Sequence, residues 1–422
     1  MRGIDQITRP LEYLSPMDDL LGGIVRRWAD ERVIPNRRSF DEDWREHRLI
    51  EPALDRLLGE LGLQRVLFPE ELGGWGLGHS DHLGVASMRL MEEIARADSG
   101  IAVAVGVTFW PLLLICREPH VSWRLCREIA PMFCGTTKAC LAANAMTEPQ
   151  GGADIENLDL LRGSTITTTA AKDGDEWVIN GHKLWPTNTG GAAGLLAVVC
   201  TTRTGSSDPE DLAVIFVPAD RPGVTQGAPY QKAGMAADKN GDVWLEDVRV
   251  PLWYRACGPG DDFRYFKEVI AFGNMGSIAM VSGVMLNAYE VLQRFANQAR
   301  VGGRTLKEHD ATAGVLADIV ADLEVIRISG YQYARMLDRR DLYGPPWSDE
   351  IVAKGRALKY SACDRALRSL GRALDVMESF GVDREWDLEK HWRDLKIIQL
   401  WMGGKQLCQM ETARWYFECE SL

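Results

Sequence analysis

The spacing of apolar residues changes twice along the chain. Residues 15–133 carry apolar positions at helical spacing, and the almost wholly apolar segment 101–115 predicts a buried helix. Within residues 67–76, a proline and three glycines break this pattern and predict a loop. The pattern alternates with period two from about Cys140, and it returns to helical spacing from Asp262 onward. The chain therefore predicts helices, then strands, then helices.

The alternating region predicts five short strands. Turn-forming pairs such as Asp173-Gly174 and Asn240-Gly241 separate them, and Asn180-Gly181 is predicted to form a tight hairpin turn inside the second. Short strands with turn signals at this spacing predict a small antiparallel barrel or sandwich. The predicted strands cover residues 165–171, 176–184, 195–202, 212–218 and 242–250.

The same pattern defines the expected domains. We predict an α+β fold with an N-terminal helical domain at residues 1–137, a β domain at 138–256 and a C-terminal domain resembling a four-helix bundle at 257–422. The chain has 422 residues, of which 46% are hydrophobic, so it is long enough for two or three sizeable cores.

Composition excludes several classes of function. A net charge of −12 argues against a general nucleic-acid partner, because such proteins need clustered cations. The nine cysteines form no Cys-x-x-Cys pair, and only His79 and His82 are close histidines, so we expect no metal site and no disulfide framework. We expect no apolar run of the roughly 18 residues that a membrane helix needs, and the N-terminus lacks a signal-peptide core. These features predict a soluble, cytoplasmic protein with reduced thiols.

Residues 144–188 carry the most promising chemistry. The stretch opens with a polar loop that contains two glycines and ends at Trp185 and Thr187. A hairpin that ends in these two residues can present a flat ring beside a hydroxyl group. We expect this pair to suit a planar ligand that forms hydrogen bonds.

Several short motifs, each weak alone, follow one another in a specific order along nearly the whole chain. They are Pro69 to Gly76, Thr147-Glu148-Pro149, Trp185-x-Thr187-Asn188, Asp247-Val248-Arg249-Val250-Pro251, Arg300 ahead of a glycine pair, and Arg393-Asp394-x-Lys396-Ile397. With the predicted order of domains, they resemble the acyl-CoA dehydrogenase family. The resemblance implies a flavin enzyme, typically tetrameric, that oxidises an acyl thioester. Its FAD would lie between the β domain and the C-terminal bundle, with the adenosine half reaching a neighbouring subunit.

The resemblance also implies roles for residues around the cofactor. Met146 and Thr147 would meet the pyrimidine edge of the flavin, while Trp185 and Thr187 would cover its ring. An indole stacks on such a ring, and a hydrogen-bond donor near it favours the negative charge of the reduced form. Gly404 is a further cofactor-binding candidate.

Three more positions follow from the resemblance. Arg300 begins an element that cradles FAD in the family, here one residue shorter. Ala153 stands where a serine often contacts the substrate, and Trp110 lies near the expected acyl pocket. Trp110 would shape that pocket for a bulky or ring-containing acyl group, although core filling is the commoner use of such a residue.

The residue expected to remove the α-proton of the substrate is missing. Most family members place a glutamate in a Tyr-Glu-Gly-Thr element, which here reads Trp401-Met402-Gly403-Gly404. The thioether of Met402 cannot accept a proton. A second family position, within residues 272–275, has no carboxylate either. Asp98 is the best remaining candidate for the base, and its alternative role is to cap the helix that follows.

Other family features on the C-terminal side also differ. Asn274 stands where the family usually has an arginine that helps to hold the CoA adenine. A glycine pair that approaches the FAD pyrophosphate in the family is replaced by Glu378-Ser379. A carboxylate beside phosphate groups would be repelled by them.

Three hypotheses are consistent with the sequence. In the first, the chain is an acyl-CoA dehydrogenase whose base has moved to Asp98 and whose acceptor is an electron-transferring flavoprotein or a similar protein. In the second, it is one subunit of a heterotetramer, rather than of a homotetramer, and a related partner carries the glutamate. In the third, it is a flavin-dependent monooxygenase or oxidase, which needs no base for a thioester.

Overall fold

The N-terminal part is built from helices around one buried helix. The computed structural model describes residues 3–151 and 165–419. Ser15 begins the first helix, because its hydroxyl accepts a hydrogen bond from the backbone N–H of Asp18 while the Asp18 carboxylate accepts one from Ser15. The helices are α1 Pro16–Trp28, α2 Arg37–Glu42, α3 Ile50–Leu54, α4 Leu83–Ala97, α5 Ser99–Cys116 and α6 Trp123–Cys134. Helix α5 is buried on nearly all sides, as its apolar sequence predicts.

The middle of the chain forms a seven-stranded sheet. Its strands are β1 Leu141–Ala145, β2 Thr169–Asp173, β3 Glu176–Lys183, β4 Ala193–Thr201, β5 Leu212–Pro218, β6 Val224–Gln226 and β7 Val243–Pro251. They lie in the order β1-β4-β2-β3-β7-β6, and β5 pairs with β4. Most pairs are antiparallel, but β1 and β2 each run parallel to β4, so the sheet is mixed in detail.

The turn predicted at Asn180-Gly181 is wrong. Both residues lie within the continuous strand β3, and the turn between β2 and β3 occurs at residues 173–176. The side chain of Asn180 donates to Asp247 Oδ1 at 3.0 Å and accepts from the Asp247 backbone N–H at 2.8 Å. A Cβ at Gly181 would come within 2.5 Å of the Thr168 hydroxyl oxygen. The pair therefore serves cross-strand contacts rather than a turn.

The C-terminal part is a helical bundle around one long helix. Its helices are α7 Asp261–Gln298, α8 Asp310–Asp338, α9 Arg340–Tyr343, α10 Asp349–Met377, α11 Leu388–Leu400 and α12 Gly404–Phe417. A hairpin of β8 Arg300–Val301 and β9 Arg304–Thr305 lies between α7 and α8. Helix α7 contacts α4 and α5 as well as α8 and α10, so it joins the two helical parts. The predicted fold class, with helical, β and helical parts, is confirmed.

Among residues 3–151 and 165–419, two helices are long and apolar enough to cross a membrane, contrary to the expectation from the sequence. They are α5 and α7, whose most apolar windows have mean hydropathies of 2.1 and 1.7. These windows are 89% and 100% buried inside the protein. Burial among other helices accounts for their composition, since core helices of globular proteins are equally apolar.

Candidate active site

The loop after β3 presents an aromatic side chain at the surface. Trp185 has a positive φ of 58° and is 53% exposed. The ring of Tyr230 lies against its indole, with 4.8 Å between the ring centroids. Asn240 Nδ2 donates to the Trp185 carbonyl at 2.8 Å. A large ring held in an uncommon backbone conformation and left uncovered by the chain is a typical feature of a binding site.

A buried ion pair fixes the neighbouring loop. Lys183 Nζ donates to the Met146 carbonyl at 3.0 Å and to Glu148 Oε1 at 2.8 Å. Both charged side chains are fully buried. The hydroxyl of Thr147 donates to the Leu184 carbonyl at 2.6 Å, and the Leu184 N–H donates back to the Thr147 carbonyl at 3.0 Å. These contacts hold Met146 and Thr147 against the end of β3.

The ion pair perturbs the pKa of both partners. Burial acts to raise the pKa of Glu148, but the charge of Lys183 and hydrogen bonds from Thr167 and Thr168 lower it to about 2. Burial lowers the pKa of Lys183, and the attraction of Glu148 opposes this effect. Glu148 is therefore ionised at neutral pH and serves to hold the loop.

The loop that carries Trp185 is also fixed to helix α5. Asn188 Nδ2 donates to the carbonyl groups of Ala104 at 3.0 Å and Ala142 at 2.8 Å. The hydroxyl of Thr187 donates to Asp238 Oδ2 at 3.3 Å. Because α5 runs through the core, these bonds connect the loop to the sheet and to the N-terminal helices at once.

Asn144 Oδ1, on β1, is a buried acceptor that has no partner within the part of the chain that the structure describes. A buried acceptor of this kind requires a donor from a ligand or from water. We call Asn144, Met146, Thr147, Trp185 and Thr187 the platform. Its uncovered indole and free acceptor fit a planar group with hydrogen-bonding edges, and the isoalloxazine ring of FAD is such a group.

An apolar cavity lies along α5. The hydroxyl of Thr108 contacts Asn188 in the loop that carries Trp185, and residues 103, 106 and 110 of the same helix line the cavity. The cavity volume is about 50 Å³. Its lining comprises Leu63, Val66, Leu67, Leu77, Leu83, Ser87, Leu90, Met91, Ile94, Val103, Gly106, Phe109, Trp110, Leu113, Phe272, Met275, Gly276 and Met280.

The side chain of Met402 lies beside this cavity. A Cβ at Gly273 of α7 would come within 2.8 Å of Met402 Cε and 3.3 Å of Trp110 Cζ2. The Met402 thioether and the Trp110 indole therefore both pack against α7 at Gly273, which has no side chain. Met402 is 8% exposed and has a positive φ of 51°.

Two buried cations hold the backbone of the Met402 loop. Arg356 Nη1 donates to the Met402 carbonyl at 2.7 Å, and Lys359 Nζ donates to the Trp401 carbonyl at 2.5 Å. The indole N–H of Trp401 donates to the Ser277 hydroxyl at 2.9 Å. The loop expected to carry a glutamate is therefore firmly positioned, but its side chain cannot accept a proton.

Asp98 lies at the junction of α4 and α5. Its Oδ1 accepts a hydrogen bond from the Ile101 N–H at 3.0 Å, which is the N-cap interaction weighed as the alternative role. Its Oδ2 lies 2.9 Å from Nζ of the buried Lys390, which also pairs with Asp394 at 2.6 Å. Asp98 does not belong to the cavity lining. Oδ1 is thus hydrogen-bonded, whereas Oδ2 forms an ion pair with Lys390 but has no hydrogen-bond partner among the described residues.

The remaining predicted residues lie away from the platform or outside the described part. Arg300 is exposed and donates to the Gly303 carbonyl within its own hairpin at 3.1 Å. Roughly 25 residues of α7 separate it from the Met402 loop, which corresponds to about 37 Å along the helix. Gly404 is buried at the start of α12 with a φ of 62°. Ala153 lies outside the described residues.

Three residues that support the platform could not be predicted from the hydrophobic pattern. Tyr230, Asp238 and Asn240 belong to the irregular connection between β6 and β7. Irregular loops often carry binding residues on a rigid scaffold. The available signal was the polar composition of this loop, beside strands that are otherwise apolar.

Sequence comparison relates the chain to known enzymes. Residues 18–117, 143–248 and 260–416 match the acyl-CoA dehydrogenase N-terminal, middle and C-terminal domains. The mitochondrial short-chain specific acyl-CoA dehydrogenase of Bos taurus is 27% identical over 406 residues, which cover 95% of this chain and 90% of that protein. Cyclohexane-1-carbonyl-CoA dehydrogenase of Syntrophus aciditrophicus (strain SB) is 27% identical over 393 residues, covering 92% and 94%.

The three-dimensional comparison agrees. The structure of a glutaryl-CoA dehydrogenase from Mycobacterium smegmatis in complex with FADH2 matches with a TM-score of 0.82, covering 100% of each chain at 18% identity. At this identity the likeness concerns the fold. The three matched domains follow one another in the same order as the helical, β and helical parts described above. The chain therefore belongs to the acyl-CoA dehydrogenase family, whose members are flavin oxidoreductases that bind FAD.

Proposed function

We propose that this chain acts in the FAD-dependent α,β-dehydrogenation of an acyl-CoA thioester, as a subunit that depends on a related partner chain for the catalytic carboxylate. Met402 carries the proposal. It occupies the loop where the family resemblance places the base, beside the cavity, and it is held there by buried cations. The dehydrogenation requires removal of a proton from the α-carbon, and a thioether offers no basic group for it.

The platform supports flavin binding by residues of this chain. Trp185 offers an exposed face for stacking, and Asn144 Oδ1 offers a free acceptor. FAD, when bound, supplies the acceptor for the hydride that leaves the β-carbon. The Lys183–Glu148 pair holds the backbone of Met146 before any ligand binds, which reduces the free energy lost in ordering the site.

The cavity supports a compact acyl group, either linear or cyclic. Its volume of about 50 Å³ is small, and Trp110 forms part of its wall. Apolar walls exclude water from the acyl chain, and this exclusion strengthens electrostatic interactions at the reacting carbons. Trp110 is accordingly the residue of this chain that we expect to limit the width of the acyl group.

The contacts of Asp98 favour a partner-supplied base over a relocated one. To act as the base, Asp98 would have to release Lys390 and reach a cavity that it does not line. If Asp98 is the base, the substitution Asp98→Asn lowers the turnover of the assembled enzyme by roughly 10² or more. We expect a loss of stability with turnover per folded enzyme retained, measured by comparing thermal unfolding with the rate of flavin reduction.

Arg300 supports an assembly of several chains. It lies far along α7 from the Met402 loop, so it cannot contact that loop of its own chain. We infer that it contacts the FAD of a neighbouring chain within a heterotetramer in the cytoplasm. Mass measurement of the native complex tests this directly, and a monomer that binds FAD fully would contradict it.

The partner requirement is tested by purification. The chain is produced alone and together with a related chain that keeps the glutamate, and native mass and visible spectrum are recorded for both. We expect the complex to purify with the yellow flavin spectrum, and the chain alone to purify with little or none and to bind FAD when it is added in excess. A stable homotetramer with one FAD per chain would contradict the partner requirement. Rapid reoxidation by oxygen coupled to substrate hydroxylation would instead favour a monooxygenase.

A further inference from the structure

The charge of the acyl group can be inferred from the walls of the cavity. Ser87 supplies a hydroxyl and Trp110 an indole N–H, and every other lining side chain within the described residues is apolar or is a glycine. Transfer of an unpaired carboxylate into such surroundings is strongly unfavourable, because no group there replaces its hydration. A hydrocarbon chain has no such penalty and gains from the removal of its surface from water.

A cationic group lies close to the cavity, but it does not line the cavity. The guanidinium carbon of Arg117 lies 5.4 Å from the centre of the Phe272 ring, and Phe272 lines the cavity whereas Arg117 does not. Arg117 is 1% exposed and donates to the carbonyl groups of Gly78 and Ser80, next to the lining residue Leu77. The Phe272 ring thus separates this cation from the cavity.

The buried cluster around Arg117 has spare hydrogen-bonding capacity. Arg117 Nε donates to Glu268 Oε1 at 2.7 Å, and Arg340 Nη2 donates to the same oxygen at 3.2 Å. Two cations therefore face one carboxylate. Arg117 Nη2 and Glu268 Oε2 both have no hydrogen-bond partner among the described residues. This free N–H group could receive a carboxylate if the Phe272 ring were absent.

We propose that Phe272 determines substrate specificity by shielding Arg117, so that the site accepts uncharged hydrocarbon acyl groups and rejects acyl groups that end in a carboxylate. This inference rests on the proposed function in one respect, which is the assignment of the cavity to the acyl group. The cavity of about 50 Å³ holds roughly four methylene-sized groups, so six-carbon thioesters are suitable probes.

The test compares two ligands that differ by the terminal charge. Hexanoyl-CoA and adipyl-CoA, both with six-carbon acyl groups, are titrated calorimetrically into the FAD-loaded enzyme, with its partner chain where the preparation contains one. We expect hexanoyl-CoA to bind at least about 100-fold more tightly. In Phe272→Ala we expect the ratio to fall below about 10-fold, mainly because adipyl-CoA binds more tightly.

Phe266→Ala is the matched control. Phe266 is a buried phenylalanine of the same helix, but it does not line the cavity, so its removal creates a void without uncovering Arg117. We expect the wild-type ratio in this variant. A wild-type ratio near one would overturn the inference even if Phe272→Ala failed to fold, and an unchanged ratio in folded Phe272→Ala would overturn the role of Phe272.

The two proposals fail in different ways. If hexanoyl-CoA binds selectively but never reduces the flavin in the assembled enzyme, the proposed function is wrong and the specificity stands. If both thioesters bind equally and hexanoyl-CoA reduces the flavin, the function stands and the specificity is wrong. If neither binds, both are wrong.

Discussion

Restoring a carboxylate at residue 402 should create a base within this chain. Glutamate and methionine have similar lengths and are both unbranched at Cβ, so Met402→Glu should keep the positive φ of 51° with little added strain. The hydrogen bond from Arg356 goes to the backbone carbonyl of residue 402 and does not depend on the side chain. The new carboxylate would lie beside Trp110 and Gly273, as the thioether now does.

The size of the effect follows from the surroundings. A positioned general base typically contributes about 10²–10⁴-fold to a rate. Residue 402 is 8% exposed, so burial would raise the pKa of the new carboxyl group and increase its strength as a base. We expect flavin reduction by hexanoyl-CoA to accelerate at least about 100-fold in Met402→Glu over the wild-type chain, both loaded with FAD and mixed anaerobically in a stopped-flow instrument.

Met402→Gln is the matched control for this experiment. The amide has the same shape as the carboxylate, but it cannot take up the α-proton, so its rate should stay at the wild-type level. Equal and slow rates in both variants, with FAD and hexanoyl-CoA bound, would show that residue 402 does not face the reacting carbons. A wild-type chain that already reduces its flavin as fast as Met402→Glu would show that it has another base.

Three further predictions concern the platform and its support. Trp185→Ala should weaken FAD binding about 10-fold or more in a fluorescence titration, while the unfolding free energy changes by no more than about 1 kcal/mol because the residue is 53% exposed. An unchanged FAD affinity would remove the indole from the flavin site. Lys183→Met should cost about 3–5 kcal/mol in denaturant unfolding, because it leaves Glu148 buried without its cation, and the added change Glu148→Gln should recover part of this loss. The folded-state pKa of Glu148, about 2, lies below its ordinary value of 4.5, so the contribution of the ion pair should be complete above about pH 4.5 and disappear as the pH falls toward 2. A stability difference between wild type and Glu148→Gln that is the same at pH 5 and pH 2.5 would contradict this assignment.

The sequence was sufficient for the elements that local pattern determines. Strand β5 begins and ends where predicted, and α5 is buried as its composition requires, because both depend on the periodicity of nearby apolar residues. The predicted turn at Asn180-Gly181 is wrong because both residues make contacts within the sheet. Asn180 forms hydrogen bonds with Asp247 on the neighbouring strand, and Gly181 lies against Thr168, where a side chain would not fit. Tertiary contacts overrode the local preference there.

Residues of the candidate site could be predicted only where the sequence contains a family motif. Motifs located Trp185 and the Met402 loop, but they could not show that Asp98 pairs with Lys390, since the partners are far apart in sequence. The shielding of Arg117 by Phe272 likewise depends on how α5 and α7 meet. Such contacts between distant residues have no periodic signature, so only the folded chain shows them.

The central claim is that this chain can bind FAD and an acyl group but lacks the base that removes the α-proton of the acyl group. Anaerobic titration with hexanoyl-CoA, following the visible flavin absorption, tests it most directly. The chain should be loaded with FAD alone and, separately, assembled with a related chain that retains the glutamate. We predict bleaching of the flavin in the assembled enzyme and at most very slow bleaching in the chain alone. Rapid and complete bleaching in the chain alone would contradict the account.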